Sequence, residues 1–139
     1  MDMVRIYKLF PTYLNCLEYL EKIRWNNEPI CPYCEAKKSS KMKNEKGYNI
    51  LRYHCNKCNA TYSVLVNTIF QDTKLDLQKW FLALYLIFRA NKKLSSRQLA
   101  YHLKVNHKTA WFVQMKITYA KQQNDTDLLN SIIKGVNNG

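Results

Sequence analysis

Cys31-Pro-Tyr-Cys34 and Cys55-Asn-Lys-Cys58, with twenty residues between them, decide how this chain folds. Each pair forms a tight turn that points two sulfurs toward one spot. Four convergent thiolates in this C-x2-C-x20-C-x2-C layout are the ligand set of a tetrahedral zinc site. Four protein ligands close the coordination shell and leave no position for water or substrate, so the expected role of the ion is structural, not catalytic. Two disulfides, or buried cysteines without metal, are the competing readings. Met1-Asp-Met-Val-Arg-Ile-Tyr-Lys8 has no apolar signal core, and no run approaches membrane-spanning length. The expected location is therefore cytoplasmic, where disulfides are rare. That favours zinc held by Cys31, Cys34, Cys55 and Cys58. Cys16 is expected to be a small buried apolar residue on a helix. His54 adjoins Cys55, but the four cysteines already complete the shell.

Outward from the array, Tyr48–Cys55 and Thr61–Val66 are rich in aromatic and branched residues and predict two short strands flanking the second turn. Lys37–Gly47 reads as a polar, basic loop. Residues 37–66 hold seven Lys or Arg against one Glu, which offsets the negative charge of four thiolates around one dication. The architecture expected for residues 29–70 is a zinc ribbon, two cysteine turns on a small antiparallel sheet.

Before the ribbon, residues 1–28 predict one helix, starting at Pro11 with Thr12 as N-cap, with Asp2 in a frayed terminus. Leu14, Leu17, Tyr19, Leu20 and Ile23 recur at helical spacing, and Pro29 ends the helix. After the ribbon, residues 71–121 read as helical. Leu77, Trp80, Phe81, Leu84, Tyr85 and Phe88 mark a core-facing helix that stops near Asn91-Lys-Lys93. Ser95 and Gln98 then form a capping box, bracketed by Leu94 and Leu99 as a hydrophobic staple. Lys104-Val-Asn106 makes a brief turn, and Asn106 caps a further helix that buries Ala110, Val113 and Ile117. Two helices about a three-residue turn, with Val105 as its plug, form a helix-turn-helix pattern. In that pattern His107, Lys108 and Thr109 are the groove-facing candidates. Arg97 and Lys104 are placed to hold the backbone, and Lys116 and Lys121 extend the positive face. His102 reads as a polar surface residue. Trp111 and Phe112 lie off the buried face and are expected to pack on the first helix or on a further segment. Residues 122–139 read as a linker or as the start of another domain. The fold class is small α+β.

Composition bears on the partner. The 139 residues carry 22 Lys and Arg against 10 Asp and Glu, a net charge of +12, which points to a polyanion such as nucleic acid. Aromatic residues are 13% of the chain and glycine and proline number three each, so this is not the composition of a disordered tail.

Read in order, Arg24-Trp25, the two cysteine turns, Tyr62-Ser-Val and Asn67-Thr-Ile-Phe70 resemble bacterial insertion-sequence transposases of the zinc-ribbon, ISXO-like class. Lys79-Trp-Phe-Leu-Ala-Leu-Tyr85, Ser95-Ser-Arg-Gln-Leu-Ala100 and Lys108-Thr-Ala-Trp-Phe112 resemble the helix-turn-helix segment of the same class. The resemblance implies binding to double-stranded DNA at the element's terminal inverted repeats. It also implies a following RNase H-like domain that cuts and joins DNA with divalent metal. After Asp76 the only acidic residues are Asp125 and Asp127, in a polar stretch. The expectation is therefore a truncated transposase that keeps the DNA-binding half and is not itself an enzyme. It would act as a homo-oligomer or beside an intact transposase, with no membrane partner. A stand-alone zinc-ribbon/helix-turn-helix transcription regulator and a zinc-ribbon protein-interaction module are the alternatives.

Overall fold

The amino-terminal stretch forms two helices, not one. In the computed structural model, which describes residues 2–89, 94–123 and 127–138, helix α1 spans Met3–Leu9 and helix α2 spans Tyr13–Trp25. Asp2 is the N-cap of α1, its carboxylate accepting from the Arg5 N–H at 3.0 Å. The terminus expected to fray is thus held by a cap worth about 1 kcal/mol. Pro11 separates the helices, and α2 starts directly after Thr12. The stop of α2 comes before Pro29. Asn26 and Asn27 both adopt left-handed backbone, which asparagine tolerates, and the Asn27 N–H reaches back to the Glu21 carbonyl at 3.3 Å.

The chain divides into two compact units, Leu14–Thr73 and Met1–Tyr13 with Lys74–Gly139. This division differs from the expected blocks of 1–28, 29–70 and 71–121. Helix α2 joins the cysteine turns, and α1 joins the later helices.

In the first unit, strands β1 (Ser39–Lys43), β2 (Asn49–Cys55) and β3 (Thr61–Tyr62) form one antiparallel sheet in the order β1-β2-β3. β1 is a correction, because Lys37–Gly47 was expected to be loop throughout. Its polar residues become a strand by pairing with β2, Ser39 opposite Cys55 and Lys41 opposite Tyr53. The hairpin turns through Asn44, whose side-chain oxygen accepts from the Lys46 and Tyr48 N–H groups, and through Gly47 at φ 82°, a left-handed position suited to glycine. A bulge sets Ile50–Arg52 against Met42, and Leu51 takes φ 58° there and is buried. Thr61–Val66, expected to be strand throughout, pairs only at Thr61 and Tyr62 before the chain turns.

An aromatic trio closes this unit. Trp25 of α2 meets Tyr53 and Tyr62 edge-on at 5.9 and 5.8 Å, and the two tyrosines face each other across β2 and β3. The Tyr53 hydroxyl donates to the buried Glu21 carboxylate at 2.8 Å. Burial pushes the Glu21 pKa above the usual carboxylate range, and the Tyr53 hydrogen bond opposes that shift. Arg24 donates to the Val64 and Val66 carbonyls at 2.7 and 2.8 Å, tying α2 to the turns after β3.

In the second unit, helix α3 (Leu77–Arg89) is the hub. Leu77, Gln78, Trp80, Phe81, Leu82, Ala83 and Leu84 are buried nearly all round the helix. It touches α1, α4 (Ser96–Leu103), α5 (His107–Gln122) and α6 (Asp127–Asn138). Phe10 packs edge-on against Phe81 at 5.1 Å, and Gln78 donates to the Phe10 carbonyl at 3.0 Å. The expected stop of α3 near Asn91–Lys93 lies outside the described residues. Residues 127–138 are a helix and not a linker, with Leu129, Ile132, Ile133 and Val136 buried on one face.

Candidate metal centre and basic helical face

The two cysteine turns are built alike. In the first, the Cys31 N–H donates to the Ala36 carbonyl at 3.0 Å and the Cys31 carbonyl accepts from the Glu35 N–H at 2.9 Å. In the second, the Cys55 N–H donates to Ala60 at 2.8 Å and the Cys55 carbonyl accepts from Asn59 at 2.9 Å. Both turns are completed by a left-handed residue just after the second cysteine, Glu35 at φ 63° and Asn59 at φ 63°. Asparagine tolerates this conformation, whereas other L-residues lose roughly 1–2 kcal/mol there. Glu35 is exposed, so replacing it changes little packing. Glu35→Gly should raise the thermal midpoint of the metal-loaded protein, by a net stabilisation of about 0.5–1 kcal/mol after glycine's own chain entropy. Glu35→Val should lower it. An unchanged or lower midpoint for the glycine variant would show that the turn is not strained.

These turns bring the sulfurs of Cys31, Cys34, Cys55 and Cys58 within 4.8 Å of one another. Cys31 and Cys58 are 3.6 Å apart at sulfur, and Cys34 and Cys55 are 3.5 Å apart. A tetrahedral ion with bonds of about 2.3 Å sets its ligands about 3.8 Å apart, so the cluster fits an ion of that size with little movement. The thiols also perturb one another. Cys55 is lowered to about 6, chiefly by the backbone N–H of Cys58. For Cys34 the Ala36 N–H pulls downward, yet burial and the neighbouring sulfurs push it up to about 12. Cys58 is raised as well, against the pull of the Ala60 N–H, by burial and by Cys31 and Cys55. One thiolate is thus favoured at the expense of others, and a divalent cation is what makes four thiolates compatible. Cys16 lies buried on α2, outside the cluster, as expected.

The family models match this part of the chain: residues 13–61 match the transposase zinc-ribbon domain. This chain carries a transposase zinc-ribbon domain. The match begins at the first residue of α2 and takes in all four cysteines, so α2 belongs to the ribbon in the family as it does in the fold. An uncharacterized protein in transposable element ISH50 of Halobacterium salinarum is 32% identical over 104 residues, which is 75% of this chain and 34% of that protein. The chain therefore spans about a third of the length of the curated relative it matches. No solved structure matches it.

Beyond the zinc-ribbon domain, the residues picked out for DNA lie on α4, α5 and the turn between them. The capping box forms as the sequence implied: the Ser95 hydroxyl accepts from the Gln98 N–H at 3.2 Å, and the Gln98 side chain accepts from the Ser95 N–H at 2.9 Å. Lys104 ends α4 in left-handed backbone, and Asn106 caps α5 by accepting from the Thr109 N–H at 2.8 Å. Leu99, Ala100, Leu103, Ala110, Val113 and Ile117 are buried, and Val105 is half-buried in the turn. Arg97, Lys104, His107 and Lys108 are exposed, while Thr109 and Lys116 are half-buried. Lys116 lies about 12 Å along α5 from Lys108.

Three features here had not been read from the sequence. Gln114 clamps α5 to the start of α4, accepting from the Ser96 hydroxyl at 2.6 Å and donating to the Leu94 carbonyl at 2.8 Å. Arg97, His102 and Lys104 border an open cleft of about 690 Å³ between α4 and the start of α1. Trp111 and Phe112, expected to be packed, are about half exposed. Their positions on the outer face of α5 account for this, since its inner face is already filled by Ala110, Val113 and Ile117. Among the described residues, no helix is long and apolar enough to cross a membrane.

Proposed function

We propose that this chain is the DNA-binding part of an insertion-element transposase and recognises double-stranded DNA at the element's terminal inverted repeats. The observation that carries this reading is the turn Lys104-Val105-Asn106 between α4 and α5. It gives two helices the spacing of a helix-turn-helix and presents the exposed His107 and Lys108 in the first turn of α5. The same chain carries a transposase zinc-ribbon domain and a net charge of +12. Arg97, Lys104 and Lys116 hold phosphates, and His107, Lys108 and Thr109 address base edges. The ion in the ribbon is Zn²⁺, bound by Cys31, Cys34, Cys55 and Cys58, and its role is structural. The protein works in the cytoplasm on chromosomal or element DNA. Work at paired ends calls for a second copy of the chain or an intact transposase beside it.

The metal centre itself does no chemistry on DNA, because an ion held by four thiolates has no open position for a nucleophile. Footprinting of the zinc-loaded chain on an end-containing plasmid should show protection within the inverted repeats and no nicking with Mg²⁺ or Mn²⁺. Protection spread evenly along the plasmid would remove end recognition. Metal-dependent nicking lost in the Asp125→Ala, Asp127→Ala double variant would make the chain an enzyme.

A further inference from the structure

The outward face of α5 carries Trp111, Phe112, Met115 and Tyr119, exposed by 50%, 49%, 49% and 65%. At 3.6 residues per turn these fall on one stripe, with Lys108 and Lys116 beside them. A contiguous apolar face left in solvent marks a contact surface. Charge limits what covers it. Residues 94–123 contain no Asp or Glu. A second copy laid against this stripe would oppose Lys108 and Lys116 with lysines and offer no carboxylate from either helix. A polyanion meets no such repulsion.

We propose that Trp111, Phe112 and Met115 lie in the major groove against thymine C5-methyl groups, so that α5 selects thymine by its methyl. This rests on the duplex-binding reading above and adds the base chemistry that the helix selects. Phe112 and Met115 carry no strong hydrogen-bonding group and Trp111 only an indole N–H, so they are poorly suited to the donor and acceptor pattern of base edges. Thymine alone among the bases places a methyl in that groove. Reach sets which residues take part. From His107 to Met115 is about 12 Å of helix, close to the groove width of about 12 Å. Tyr119 lies about 6 Å further on, over the groove edge. The Lys116 ammonium sits 5.2 Å from the Phe112 ring centre, which sets a phosphate-binding cation beside a methyl-binding ring.

The test uses the full zinc-loaded chain and the duplex that it enriches most from a randomised pool. Each thymine is replaced in turn by uracil, which removes one methyl and leaves the hydrogen-bonding edge intact. At contacted positions the affinity should fall about fourfold per methyl, with other thymines unaffected. Trp111→Ala and Met115→Ala change half-exposed residues, and their duplex binding should lose that sensitivity. Equal binding of the thymine and uracil duplexes overturns the methyl contact and leaves the duplex reading intact. Failure to enrich any duplex overturns both. A dimer in sedimentation that Trp111→Ala dissolves, with uracil sensitivity unchanged in that variant, assigns the stripe to a second copy and also overturns the proposal.

Discussion

Cys55→Ser should strip the metal and unfold Leu14–Thr73. Cys55 closes β2, pairs with Cys34 at 3.5 Å between sulfurs, and accepts the Cys58 N–H at 3.5 Å, so one change removes a ligand and an anchor of the second turn. The remaining core of this unit is small. It rests on Leu17, Leu20, Trp25, Tyr53, Tyr62, Val64 and Phe70, and a unit of about 60 residues is marginal on burial alone. Structural zinc sites contribute on the order of 10–16 kcal/mol, comparable with the whole stability of a domain at about 5–15 kcal/mol. Elemental analysis should give one zinc per chain for the wild type and for Cys16→Ser, and a value near zero for Cys55→Ser. Circular dichroism should show the ribbon's structure lost in Cys55→Ser and in wild type treated with a chelator. Acid should act in the same direction, because lowering the pH protonates the thiolates that the metal requires. A chelated wild type with an unchanged thermal transition would show that the ion is not structural.

Duplex binding should weaken steeply with salt. Arg97, Lys104 and Lys116 offer three cations for phosphates on one helix pair, and each neutralised phosphate contributes about 0.9 to the slope of log K against log salt. Three such contacts predict a loss of roughly fortyfold between about 50 and 200 mM salt. Lys104→Ala should flatten the slope by about 0.9 with little change in sequence preference, whereas Lys108→Ala should relax the preference. Lys104 is in left-handed backbone, so Lys104→Gly serves as the companion variant that removes the charge without strain. Binding that does not change across this salt range would remove the electrostatic basis of the reading.

Local chemistry was legible in the sequence. The cysteine spacing dictates two turns of the same hydrogen-bonding pattern, and Ser95 with Gln98 specifies a capping box within four residues. The three-residue turn after Leu103 was equally readable. Elements that depend on distant pairing were not. Ser39–Lys43 has no strand pattern of its own and becomes β1 only against β2. Met3–Leu9 is too short to be stable alone and is fixed by Ile6 and Phe10 meeting the helical unit far along the chain. Residues 129–136 do carry a helical period, but the polar Gln122–Asp127 ahead of them reads as a linker. The exposure of Trp111 and Phe112 could not be read, because an aromatic residue looks the same in sequence whether it faces a core or a groove.

On the proposed function, the turn and first residues of α5 meet duplex DNA. Titrating the ¹⁵N-labelled, zinc-loaded chain with an inverted-repeat duplex tests it most directly. The amides of Lys104, His107, Lys108 and Thr109 should shift first, and the shifts should reverse as salt is raised. Shifts confined to other residues, or none at all at saturating duplex, would contradict it.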